Sequence, residues 1–196
     1  MELDVAREGQ TGVAMIIVAA DGETQIVVVP GANATVDAAA SGNVLCQLEI
    51  PVETVEANAR GADFFCLNAA PAKPLPRDLL DRADLLVVNR YERELLDYEP
   101  PGLLALTLGP EGAVLLEGGE ELARAKPPRV EAVDGTAAGD AFTACLVVSH
   151  LEGRDWEEGL RRACAAGAIA ASRFGAQPSL PTAAEVDAAL LGSGTP

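Results

Sequence analysis

Asp140 closes the stretch Val133-Asp134-Gly135-Thr136-Ala137-Ala138-Gly139 and stands just ahead of an apolar run. From Ala141 to His150 no proline or glycine interrupts that run, and its alanine, leucine and phenylalanine residues predict a helix. Asp140 then falls in the first turn. The unpaired amides of Ala138, Gly139 and Asp140 would point outward there, and the positive end of the helix dipole favours a negative group. A phosphate suits such a place. A carboxylate beside it can accept the proton of an incoming hydroxyl, so the loop offers both halves of a phosphoryl transfer: charge stabilisation and orientation of the nucleophile. The competing reading is plain capping, since Gly-Asp before a helix is an ordinary N-terminal arrangement.

Other residues carry similar double readings. Asn89 and Glu92 have the spacing of a capping-box variant, and on spacing alone a helix cap is the better reading. Thr107 and Gly109 suit a strand end and turn, while the small Gly109 would also let a nucleotide approach the backbone. Glu49 follows an apolar strand, where a solvated loop residue would serve as well.

The elements that must position these groups alternate. Val13 to Ala20 and Gln25 to Val29 read as strands around Asp21-Gly22, a strong hairpin signal. Val44 to Leu48, Asp63 to Leu67, Leu85 to Val88, Leu103 to Leu108 and Ala113 to Glu117 read as further strands, with Pro110-Glu111-Gly112 as a turn. Helices are predicted over Val52 to Arg60, Glu92 to Leu96, Ala141 to Leu151, Trp156 to Ser172 and Thr182 to Leu191. The alternation predicts an α/β fold, a parallel sheet covered by helices with ligands at the carboxyl ends of the strands. No internal repeat or linker divides the chain.

Composition narrows the partners. The 196 residues are 49% hydrophobic, enough for one sizeable core. The formal charge of -16 speaks against nucleic acid and anionic membranes, although backbone amides and a metal can still hold ATP locally. His150, Cys46, Cys66, Cys145 and Cys164 lack zinc-ligand spacing, so buried reduced thiols are expected. With no signal peptide read at the start and no apolar run of membrane-spanning length, the expected compartment is the cytoplasm.

Asp134-x-x-x-x-Gly139-Asp140 resembles the C-terminal signature of the ribokinase-like carbohydrate kinases. Further segments match that family in order. Thr11-Gly12-Val13-Ala14 through Gly31-Ala32-Asn33-Ala34 resembles a hairpin leading to a Gly-Ala-Asn loop. Gln47-Leu48-Glu49 is similar to the strand end supplying a sugar-contacting glutamate, and Leu67-Asn68-Ala69-Ala70-Pro71-Ala72 to an Asn-Pro-Ala-Pro strand end. Asn89-Arg90-Tyr91-Glu92 resembles the Asn-x-x-Glu motif, Leu106-Thr107-Leu108-Gly109-x-x-Gly112 a nucleotide loop, and Gly175-Ala176-Gln177-Pro178-Ser179 a loop near a monovalent cation.

The resemblance implies a Rossmann-type parallel sheet with a partial β lid at residues 11–30 and a nucleotide-binding core at 41–196, together one incomplete domain. The family's first central strand, its sugar-binding aspartate and its Gly-Gly-Lys-Gly motif have no counterpart in the chain. The implied activity is ATP-dependent phosphorylation of a sugar, with O5 of ribose as the first choice. Fructose, 2-keto-3-deoxygluconate, a nucleoside, or a non-catalytic nucleotide-binding or interaction fragment stay open.

By the same resemblance Asp140 is the catalytic base and touches the sugar with Glu49, and Ala137, Ala138 and Gly139 form the anion hole. Asn89, Thr107, Gly109, Gly112, Gly139 and Cys164 bind ATP, and Asn89 and Glu92 serve Mg²⁺ indirectly. Asp134, Thr136, Ala170, Arg173, Gly175 and Ser179 hold K⁺. A homodimer through the lid strands is a further implication. Two departures stand out: Cys164 replaces the histidine that faces adenine, and Asn68-Ala69-Ala70-Pro71 lacks the first proline.

Overall fold

The computed structural model describes residues 9–18 and 24–192. Two strands, β1 (Val13–Val18) and β2 (Thr24–Val29), form a separate antiparallel hairpin. The first strand was expected to reach Ala20; Ala19 and Ala20, with the Asp21-Gly22 turn, lie outside the described residues. A short 3-10 turn, Gly31–Thr35, follows.

The main sheet holds six strands in chain order, β3 (Gly42–Cys46), β4 (Ala62–Asn68), β5 (Leu85–Asn89), β6 (Leu103–Thr107), β7 (Ala113–Glu117) and β8 (Glu120–Ala125). Strands β3 to β6 run parallel, as expected, and β7 and β8 extend the sheet antiparallel. The departure from an all-parallel sheet follows from short connections. A 3-10 turn, Gly109–Glu111, joins β6 to β7, and Gly118 and Gly119 join β7 to β8, which leaves no chain for a crossover. The strand β8 has no counterpart among the strands read from sequence.

Helices cover both faces. On one side α1 (Val52–Gly61) and α2 (Arg77–Arg82) place Val55, Ala59, Leu79 and Leu80 against Phe65, Leu67, Leu86, Val88 and Leu104. On the other, α4 (Ala138–Leu151) and α5 (Trp156–Ala171) place Phe142, Leu146, Leu160 and Ala163 against Cys66, Leu85, Val87 and Ala105. Successive residues of one strand thus enter opposite cores, which is why Leu85-Leu86-Val87-Val88 is apolar without alternation. The helix α3 (Arg90–Leu96) follows β5 directly, and α6 (Ala183–Gly192) packs Val186 onto the alanine face of α5. No helix among the described residues is long and apolar enough to cross a membrane.

Candidate active site

The parallel strands end side by side, and their carboxyl ends carry polar side chains in sequence. Gln47 and Glu49 follow β3, Asn68 ends β4, Asn89 ends β5 and Thr107 ends β6. Two cavities open there. The larger, of about 620 Å³, is lined by Thr107, Gly109, Gly112, Val130, Gly139, Phe142 and Cys164 among others. Its walls are mainly proline, alanine, glycine and aliphatic groups, a lining suited to a flat aromatic ring. The smaller, of about 400 Å³, is lined by Gln47, Glu49, Asn68, Asn89, Glu92, Thr136 and Asp140, with Ile26 of the hairpin on its rim. Thr107 and Gly139 belong to both cavities.

Asp140 is the third residue of α4, and the capping reading fails on geometry. No side chain caps α4, and the Asp140 carboxylate accepts instead from Gln47 Nε2 at 2.6 Å. The Ala138 amide, expected to face a ligand, donates to the Gly135 carbonyl at 3.1 Å, because the loop closes on itself just before the helix. The outward donors are therefore the amides of Gly139 and Asp140, which have no acceptor among the described residues. Ala137 is buried beneath them.

Asn89 and Glu92 realise the capping box. Glu92 N–H donates to Asn89 Oδ1 at 2.9 Å, and Asn89 N–H donates to Glu92 Oε2 at 2.7 Å. Both also line the polar cavity. Burial raises the Glu92 carboxyl above its usual range, partly offset by the Asn89 amide.

Asp134 organises the loop ahead of α4. Its Oδ1 accepts from the Thr136 amide at 3.0 Å and from the Thr136 hydroxyl, and its Oδ2 accepts from the Gly175 amide at 2.9 Å. These donors, the Thr136 hydroxyl foremost, hold its carboxyl below the usual range. The amides of Val133 and Asp134 both reach the carbonyl of Ala171 at the end of α5. Of the remaining expected cation ligands, Ala170 accepts the Arg173 amide, the Arg173 guanidinium pairs with Glu185, and the buried Ser179 hydroxyl donates to Ala176. Any ligation by Ala170 or Arg173 would thus come from the backbone. Among the described residues no group of three or more His, Cys, Asp or Glu side chains is placed to hold a metal ion.

Cys164 forms part of the apolar cavity wall, with its thiol directed at the Ala125 carbonyl at 3.7 Å. Burial pushes that thiol up to about 12, so it presents an inert, apolar surface. Gln47 and Asn68 are site residues that the sequence reading left without roles. A lone glutamine has no spacing signature, and its partner Asp140 is 93 positions away.

Sheet, paired cavities and uncapped helix together define an α/β protein with a binding site at the carboxyl ends of its parallel strands. A model of the pfkB family carbohydrate kinases matches residues 3–183, and the chain belongs to that family. Its relatives include the ribokinase of Bacillus subtilis (strain 168), 36% identical over 89% of this chain and 67% of that protein. The ribokinase structure from Thermotoga maritima superposes with a TM-score of 0.79 at 30% identity, covering 93% of this chain and 70% of that one. The Arabidopsis thaliana ribokinase complexed with ribose and ATP gives 0.81 at 29% identity over the same shares.

Proposed function

We propose that this sugar kinase transfers the γ-phosphoryl group of ATP to the 5-hydroxyl of D-ribose. The observation that carries the reading is the common wall: an apolar cavity and a polar cavity meet at Gly139, with Asp140 on the polar side. The nucleoside end would occupy the larger space and the sugar the smaller, between Glu49 and Asp140. The complex of the Arabidopsis relative with ribose and ATP supports the choice of ligands.

In the reaction Asp140 takes the proton of the attacking hydroxyl as its oxygen bonds to the γ-phosphorus. The bond from that phosphorus to the bridging oxygen breaks, and ADP leaves. The free amides of Gly139 and Asp140 hold the phosphoryl oxygens at the positive end of α4. A loose phosphoryl transition state asks more for the position of this carboxylate than for its basicity.

Asn89 and Glu92 fit an indirect Mg²⁺ role: they line the polar cavity, and Glu92 Oε1 has no partner among the described residues. The ion would neutralise charge on the phosphates. Asp134, already tying Thr136 to Gly175, fits the anionic anchor of a K⁺ site completed by Thr136, Ala170, Arg173, Gly175 and Ser179. Four unpaired cysteines suit a reducing compartment, the cytoplasm. Two copies would join through the hairpin.

Replacing Asp140 by Asn tests the assignment in a ribose-dependent ADP-release assay with calorimetric nucleotide binding alongside. Turnover should fall by roughly 10²- to 10⁴-fold while nucleotide affinity is retained. Turnover that survives the change would remove Asp140 from its role.

A further inference from the structure

Two side chains at neighbouring strand ends, anchored on a backbone carbonyl of β5, form a chain of hydrogen bonds leading to Asp140. Asn68 Nδ2 donates to the Val87 carbonyl at 3.1 Å, Gln47 Nε2 donates to Asn68 Oδ1 at 3.1 Å, and the same Gln47 nitrogen donates to Asp140 Oδ1 at 2.6 Å. The direction of every bond is determined. A backbone carbonyl can only accept, so the Asn68 amide must turn its NH₂ toward Val87 and its oxygen toward Gln47. That oxygen needs a donor. Gln47 therefore presents its NH₂, whose second proton is left for the carboxylate.

The anchor is rigid. Asn68 is buried, and the Val87 carbonyl belongs to the central strand β5. Asp140 by contrast is exposed on the first turn of α4, where rotation about its side-chain bonds would otherwise be free. We propose that Gln47 is a positioning residue for the phosphoryl transfer described above, and the inference rests on that reading. It fixes Oδ1 and leaves Oδ2 to receive the proton of the sugar hydroxyl. Its register comes from the sheet: the amide of Leu48, next to Gln47, is held by the Ala70 carbonyl at 2.9 Å, which keeps the ends of β3 and β4 together.

The test compares the native chain with Gln47→Met, which keeps length but donates nothing, and Gln47→Glu, which turns an acceptor toward the carboxylate. In both variants kcat should fall roughly 10- to 100-fold, with KM for ATP and for ribose within about threefold of the native values. An unchanged kcat, or a loss carried mainly by KM, overturns the proposal.

A second readout does not depend on turnover. The side-chain amide signal of Gln47 in ¹⁵N-labelled protein, assigned by its loss in Gln47→Met, should move in Asp140→Asn. A signal unmoved by that change overturns the contact. If the native chain phosphorylates no sugar, the kinase reading and the positioning role fall together, while the amide signal still decides the contact between Gln47 and Asp140.

Discussion

At the scale of single residues, two glycines of the candidate site separate a demand of the fold from a demand of the chemistry. Gly112 has φ +101°, and a Cβ there would stand 1.9 Å from the Ala125 carbonyl, so no other residue fits between β7 and β8. Gly139 is different. A Cβ built on it meets nothing within 4 Å, and the space it would enter is the wall common to both cavities. The fold has no need of glycine at that position, and an alanine would if anything favour the helix by up to about 1 kcal/mol. Gly139→Ala should therefore melt no lower than the native chain while its turnover falls at least tenfold, a gap read by calorimetry beside the ADP-release assay. A variant that lost stability and kept activity would reverse the distinction.

At the scale of elements, α6 shows how a terminal helix is tied to the loop beyond α5. Thr182 and Glu185 form a reciprocal cap, with the Thr182 amide donating to Glu185 Oε2 at 2.8 Å and the Glu185 amide to Thr182 Oγ1 at 3.3 Å. Arg173 also reaches Glu185. The Thr182 amide, then Arg173, lower the Glu185 carboxyl to about 2. A carboxyl depressed in the folded state stabilises it above the unfolded value of about 4.3, and that contribution disappears as pH falls toward the folded value. Glu185→Gln should flatten the fall of melting temperature between roughly pH 4.5 and 2, with little change in its slope near neutrality. An equally steep acid limb in the variant would count against the cap as its source.

Elements of this kind were unequally legible. The buried strands β4 to β7 announce themselves as apolar runs, and α4 and α5 as uninterrupted helix formers. Strand β8, Glu-Glu-Leu-Ala-Arg-Ala, is composed of helix formers and becomes a strand only because the Gly118-Gly119 turn folds it back on β7. Helix α2 follows a proline-rich stretch whose turn signals outweigh its six residues. In the site, Asp140 and Thr107 could be named from local patterns, one in the first turn of α4 and the other at the end of β6, whereas Glu49 was named only through the family resemblance. Gln47 and Asn68 could not, because their meaning arises only where strand ends converge.

For the whole molecule, the hairpin presents a run of exposed apolar side chains on one face. Val13, Met15, Val27 and Val29 pair across β1 and β2 on one face, and each is more than half exposed. Ile26, on the opposite face, lines the polar cavity. A patch of four aliphatic side chains on a two-stranded ribbon is poorly stable in water unless something covers it. A second copy would cover it, and sedimentation at micromolar concentration should find a dimer. Replacing Met15 and Val27 together by Lys should yield monomers. A native chain that sediments as a monomer would leave the hairpin to another role.

The wall shared by the two cavities has one more consequence. Thr107 and Gly139 border both spaces, so with nucleotide in one and sugar in the other, as proposed, each ligand would bind against a wall the other also touches. Linkage is reciprocal: the factor by which a nucleotide alters the affinity for a sugar is the factor by which the sugar alters the affinity for the nucleotide. Any coupling between the two ligands would then pass through this wall, and titrating the nucleotide with and without the sugar would measure it from either side.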